Sequence, residues 1–255
     1  MKTKRILAVL ALLMITVLSF SQTYPRCGYA GAKNPEGMRS EVVSHLGYTV
    51  SYNSETLCPN WVAWELTKDE TWGESSRTDE FTADPMVAVQ ADTHDYIRSG
   101  YDRGHMAPAA DMKWSEKAML ESFYMTNVCP QDNALNAGTW LTLEKKCRGW
   151  AKRHGKVWIV CGPVYLGKKH DYIGNATAKV MVPDKFFKVI LAEYKPGKFD
   201  CIGFLFPNEP CQADLNLYAV SVSLIEYNTG LTFFPSLPKE TREEIIMNEN
   251  VRYWQ

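Results

Sequence analysis

The chain has 255 residues, with 28 Lys+Arg against 29 Asp+Glu, 45% hydrophobic and 22% charged. That apolar share is the composition of a folded protein and excludes an intrinsically disordered one. With no global positive charge, any contact with nucleic acid has to come from a local patch.

Residues 2–5 are basic and residues 6–20 form an apolar run. That run is shorter than the roughly 20 residues a membrane span needs. Ser19-Phe20-Ser21 then places small residues at −3 and −1 of a cleavage site. The pattern predicts a secretory signal peptide over 1–21, cut before Gln22, and export to the periplasm or the medium with no membrane anchor afterwards. Without Lys2, Lys4 and Arg5, residues 22–255 carry 25 bases against 29 acids, a net charge of −4. All seven cysteines (Cys27, Cys58, Cys129, Cys147, Cys161, Cys201, Cys211) lie in that part. In an oxidising compartment some are expected to pair as disulfides, and an odd number leaves at least one free or paired between chains. No Cys-x-x-Cys occurs and the five histidines are scattered, so zinc is a weak reading.

No repeat, low-complexity tract or Gly/Ser-rich linker interrupts the chain, so 22–255 reads as one domain. Strands are expected at 48–52, 61–66, 157–164, 186–194 and 201–206, runs rich in β-branched and aromatic residues bounded by Gly, Pro, Asn or Asp. Helices are expected from Ser115 over 116–123, over 136–154, over 220–228 with Gly230 as a stop, and over 239–247. Strands on both sides of the 136–154 helix give a mixed α+β class with a largely antiparallel sheet. Asn175-Ala176-Thr177 matches a glycosylation acceptor, relevant only in a host that glycosylates.

Two constellations carry chemistry. Asp102-Arg103-Gly104-His105 places an acid, a guanidinium, a flexible residue and an imidazole side by side. An imidazole takes a proton from water near neutral pH, and a guanidinium offers a planar fork of donors to phosphate. Alone, the cluster is equally readable as a histidine satisfied by backbone. On the 136–154 helix, Asn136, Trp140, Glu144 and Arg148 recur every four residues and share a face. Asn136, at the expected helix start, can turn its amide oxygen to a cation. Glu144 lies about 12 Å further along the axis, within reach of a water on that cation rather than of the ion itself. A hard ion that keeps most of its waters, such as Mg²⁺, suits that spacing. Trp140 reads as core. Lys145, Lys146, Arg148, Lys152, Arg153, His154 and Lys156 form a charge run that is either a solvated helix face or a backbone-binding patch.

Asp102-Arg103-Gly104-His105 with Met106-Ala107-Pro108-Ala109-Ala110-Asp111 resembles the signature of the DNA/RNA non-specific endonucleases, the ββα-metal nucleases. The resemblance continues through Thr126-Asn127-Val128-Cys129-Pro130-Gln131, Leu135-Asn136-Ala137-Gly138-Thr139-Trp140, Leu143-Glu144 and Cys161-Gly162-Pro163-Val164-Tyr165. Upstream, Asn60-Trp61-Val62-Ala63-Trp64, Arg77, Phe81 and Asp84-Pro85 fit the family's opening, and Pro183-Asp184-Lys185-Phe186-Phe187-Lys188-Val189 fits a later strand. Matched motifs in matched order cover residues 47–237. The resemblance implies a central antiparallel sheet with helices on its faces and a ββα-metal active site. It further implies hydrolysis of DNA and RNA with little sequence preference. By the same resemblance His105 is the general base, Asn136 the one direct ligand of a single Mg²⁺ (or Mn²⁺ or another divalent ion), and Glu144 its ligand through water. Arg103, Arg77 and Arg148 grip phosphate, Asn127 lines the site, and Asp102 holds the turn that presents Arg103 and His105. A catalytically silent nucleic-acid-binding relative and a phosphodiesterase of small esters are the alternatives.

Overall fold

A computed structural model describes residues 28–174, 179–248 and 254. The expected signal peptide, Cys27 and Asn175-Ala176-Thr177 lie outside them. The principal strands are β1 (Glu41–Ser44), β2 (Thr49–Asn53), β3 (Cys58–Thr67), β4 (Asp102–His105), β5 (Val128–Gln131), β6 (Lys156–Val164), β7 (Lys185–Lys195), β8 (Lys198–Pro207) and β9 (Ala219–Val220). The α-helices that matter here are α1 (Glu116–Ser122), α2 (Leu141–His154), α3 (Val222–Thr229) and α4 (Lys239–Ile246).

Seven strands form one sheet in the order β9-β8-β7-β6-β3-β2-β1, every neighbouring pair antiparallel. Successive side chains of a strand point to opposite faces, and here both faces are covered. On β7, Phe186, Ile190 and Ala192 join a core with Leu143, Cys147, Trp150 and Ala151 of α2. The alternate residues Phe187, Val189 and Leu191 join a second core with Val222 and Ile225 of α3 and Ile245 and Ile246 of α4. The expected sheet with helices on its faces is therefore present. Burial on both sides also explains why β6 and β7 read as near-continuous apolar runs in the sequence. Among the described residues no helix is long and apolar enough to cross a membrane.

The helix of the active-site region begins earlier than expected. A short α-helical turn, Asn133–Leu135, is capped by Asp132, whose side chain accepts from the Leu135 amide at 2.9 Å. It passes through a π-type turn, Asn136–Trp140, into α2. Asn136 thus sits one turn inside the helical stretch, at a widened turn of the kind often found at functional sites. The sequence reading put the start at Asn136, whereas the cap is Asp132, four residues earlier. Ser115 caps α1 and Gly230, at φ 70°, ends α3, as the sequence indicates.

The disulfide expectation is corrected. Cys58, Cys129, Cys147, Cys161, Cys201 and Cys211 are all free thiols, five of them buried. They pack as small hydrophobes in cores large enough to need no covalent staple. Burial pushes the Cys161 thiol up to about 12, so it stays protonated at neutral pH.

Candidate active site

β4 and β5 form a separate two-stranded ribbon, with Asp102 opposite Gln131 and His105 opposite Val128. Gly104 has to be glycine, because a Cβ there would collide with the Gln131 side chain lying across the ribbon. The chain leaves β5 and enters the capped helical stretch within a few residues, so ribbon and helix face each other across an open cleft of about 380 Å³. Arg77, Phe81, Asp102, Arg103, His105, Asn136, Leu141 and Glu144 line it. The two constellations, some thirty residues apart in sequence, meet there.

His105 is half-buried, with Phe81 and Phe123 packed around its ring at centroid distances of 5.0 and 4.9 Å. Trp140 is wholly buried and donates from its indole to the His105 carbonyl at 3.3 Å, which fixes the backbone of the base candidate. Burial first, then the Arg77 charge, lowers the imidazole pKa to about 3, with Asp79 opposing. The ring lines the cleft, and its Nε2 is buried there without a hydrogen-bond partner. The ring is therefore neutral at pH 7 and free to accept a proton.

Asn136 donates from Nδ2 to Asp102 Oδ2 at 2.9 Å, and Asn133 donates to the same oxygen at 3.0 Å. The amide can hold that bond only with its nitrogen toward Asp102, which leaves Oδ1 as the atom free for a cation. Asp102 is therefore an orienter of Asn136 as well as a residue of the β4 turn, a role the motif reading did not assign to it. Glu144 is buried at the cleft wall, where desolvation raises its carboxyl to about 7 against the opposing charge of Lys188. Lys188 is fully buried, with its ammonium 4.2 Å from the Trp140 ring centroid and no hydrogen-bond partner. It shares the β7 face of Phe186 and Ile190, the face that looks at α2. Sequence reading missed it, although a lysine in phase with buried apolar residues is the signal that could have found it.

The remaining candidates divide. Arg77 and Arg103 are exposed on the cleft, each guanidinium over an aromatic ring, Arg77 at 5.2 Å from Phe123 and Arg103 at 4.6 Å from Phe81. Arg77 also pairs with Asp79. Arg148 is not on the cleft lining: its Nη1 binds Asp111 Oδ1 at 2.7 Å, and the buried Asp111 also accepts from the Trp64 indole at 3.1 Å. Asn127 is fully buried and saturated by backbone. Its Oδ1 accepts from the Ala107 amide at 2.9 Å, while Nδ2 donates to the Ala107 and Ser122 carbonyls, both at 2.8 Å. It clamps the chain just after His105 instead of lining the site, because no polar group of its amide is left over.

Among the described residues no cluster of three His, Cys, Asp or Glu could cage a metal. The donor set is one oriented amide oxygen and one carboxylate further along the wall. Such a set fits a hard divalent cation that retains most of its waters, and does not fit zinc.

The family described as DNA/RNA non-specific endonuclease matches residues 30–240. The mitochondrial nuclease EXOG of Danio rerio is 38% identical over 218 residues, covering 79% of this chain and 63% of the relative. The mitochondrial nuclease of Saccharomyces cerevisiae is 34% identical over 245 residues, covering 88% of this chain and 72% of the relative. Among solved structures, the EndoG/EndoGI complex aligns at a TM-score of 0.74 with 32% identity, covering 80% of this chain and 89% of that one. The chain thus spans about three-fifths of the zebrafish relative's length. These relatives contradict the expectation of export: they are mitochondrial nucleases, and a periplasmic or extracellular location is not retained.

Proposed function

The chain belongs to the DNA/RNA non-specific endonuclease family, and from that premise we propose that it is a Mg²⁺-dependent endonuclease cutting DNA and RNA at the cleft between β4 and α2. The observation that carries the reading is the convergence of a neutral imidazole, an amide oxygen turned outward and two guanidinium groups on one cleft. Asn136 would hold the divalent ion directly and Glu144 through a water. The bound ion, Mg²⁺ or a substitute such as Mn²⁺, supplies positive charge to the phosphate and to the departing oxygen.

The chain's own residues do the rest. His105, held between two aromatic rings, accepts the proton of the water that attacks phosphorus, a contribution of about 10²–10⁴ in rate. Arg77 and Arg103 donate to the phosphate oxygens as negative charge builds, the preorganised stabilisation that dominates many such sites. Their guanidinium planes are set by the rings beneath them, so little order is lost when they engage. Arg148 acts from behind the wall, by fixing Asp111. These groups read phosphate and not base edges, so cleavage carries little sequence preference. Water is the nucleophile, so RNA needs no participation of its 2′-hydroxyl.

Incubating the purified chain with supercoiled plasmid and with structured RNA, in Mg²⁺ and in EDTA, tests the proposal. Mg²⁺-dependent nicking of both polymers is expected. Hydrolysis of small esters without nicking of closed circles would make it a small-ester phosphodiesterase instead. Absence of cleavage together with retained binding would make it a silent relative.

A further inference from the structure

We propose that Trp72 and Lys152 form a stacking platform for unpaired nucleotides that flank the scissile phosphate, an inference that rests on the nuclease reading above. Trp72 is the only one of the eight tryptophans that is exposed, at 64%. Its position is nonetheless fixed. It closes a 3₁₀ turn, Asp69–Trp72, in which the Glu70 carboxylate accepts from the Thr67 amide at 2.8 Å and its hydroxyl at 3.0 Å. The Lys68 amide ties this turn to the Gly155 carbonyl at the end of α2, at 2.7 Å. Gly73 lies so close to the Lys113–Trp114 peptide that a Cβ would strike it. An indole held in the open loses little freedom when a base stacks on it.

Lys152 places its ammonium 4.1 Å from the Trp72 ring centroid, covering one face. With the residue 64% exposed, the other face is left to solvent. Two segments of the chain lead from the platform to the cleft. On α2, Leu141 lines the cleft, and Lys145 and Lys152 fall within about 40° of it at roughly 100° per residue. Lys152 stands about 17 Å along the axis from Leu141, a few nucleotides of extended strand. The other segment runs from Trp72 to Arg77 and Phe81, both on the cleft. Asp69 and Glu74, both exposed beside Trp72, keep the local charge mixed. Aromatic stacking, not phosphate attraction, is then the main attraction at this end. That selects unpaired bases, since in a duplex the base faces are already stacked on their neighbours.

The experiment uses the full chain, its Trp72→Ala, Trp72→Phe and Lys152→Ala variants, and three substrates. They are a roughly 20-nucleotide single strand, the same sequence fully paired, and a dinucleotide diester too short to reach Trp72. Trp72→Ala is expected to raise KM on the single strand by about 5- to 150-fold at unchanged kcat. The paired substrate and the diester should stay within about twofold of the parent, and Trp72→Phe should recover most of the loss. Parental KM on the single strand, or an equal loss on the paired one, overturns the platform. If the parent cuts nothing, the nuclease reading fails, and anisotropy of the labelled single strand in EDTA decides the platform separately. Weaker binding by Trp72→Ala then supports it and equal affinity overturns it. Should Trp72→Ala lower the melting temperature, Lys152→Ala carries the same test: a raised KM on the single strand with the paired substrate within about twofold of the parent supports the platform, and a parental KM on the single strand overturns it.

Discussion

His105, Asn136 and Glu144 each owe their chemistry to a neighbour. Asp102 fixes which end of the Asn136 amide faces the cleft. In Asp102→Ala that amide is free to turn, and Mg²⁺ affinity should fall about 10- to 100-fold, the usual cost of losing an outer partner. Calorimetric titration of Mg²⁺ into the variant measures it, and kcat at saturating Mg²⁺ should recover in large part. Glu144 and His105 are shifted in opposite senses by burial. The carboxyl near 7 must lose its proton to serve a cation, so Mg²⁺ affinity should rise between pH 6 and pH 8 with release of a proton. The imidazole, neutral throughout that range, adds no acid limb near its ordinary 6.5. Glu144→Gln should therefore flatten the pH dependence of Mg²⁺ binding, whereas His105→Ala should leave it in place; the reverse result would reassign the titrating group.

The ribbon and the helical stretch are the elements that bring these residues together, and both depend on tight fits. Gly104→Ala forces a methyl into the Gln131 side chain, whose amide is already buried without partners. It should lower stability by about 1–3 kcal/mol through overpacking, read as a shift of the urea midpoint. An unchanged midpoint would show that the ribbon yields there. The same elements show where sequence reasoning reaches and where it stops. β6, β7 and β8 were legible because two covered faces make them continuous apolar runs. β4 and β5 carry no strand pattern in Asp102, Arg103, His105, Pro130 and Gln131, and only the family resemblance, through its ββα-metal motif, implied their pairing. The π-type turn at Asn136–Trp140 has no local signal, and it shifts the phase of the four-residue spacing that first linked Asn136 to Glu144. His105, Asn136 and Glu144 were singled out by motif and spacing, and the cleft holds all three. Asn127 and Arg148 matched motifs too, yet their polar atoms are engaged by backbone and by Asp111, which spacing alone could not reveal.

Over the molecule the charge balance gives no help: 28 Lys+Arg against 29 Asp+Glu leave the chain net −1, and the proposed substrate is a polyanion. Affinity then has to come from local cations, Arg77 and Arg103 on the cleft and the exposed Lys145 on α2. Each phosphate contact adds about 0.9 to the slope of log KM against log salt for duplex DNA. KM for plasmid should accordingly rise steeply from about 50 to 200 mM salt, and Lys145→Ala should reduce the slope by about one. A flat salt response would place the substrate elsewhere on the surface. In the proposed mechanism one cleft, built by β4 and the stretch 133–154, performs the hydrolysis. Plasmid nicking by the parent, His105→Ala and Asn136→Ala, each checked for an unchanged melting temperature, tests it most directly. Both variants should lose at least about 100-fold in rate. A folded variant of either kind cutting at the parental rate would contradict the account.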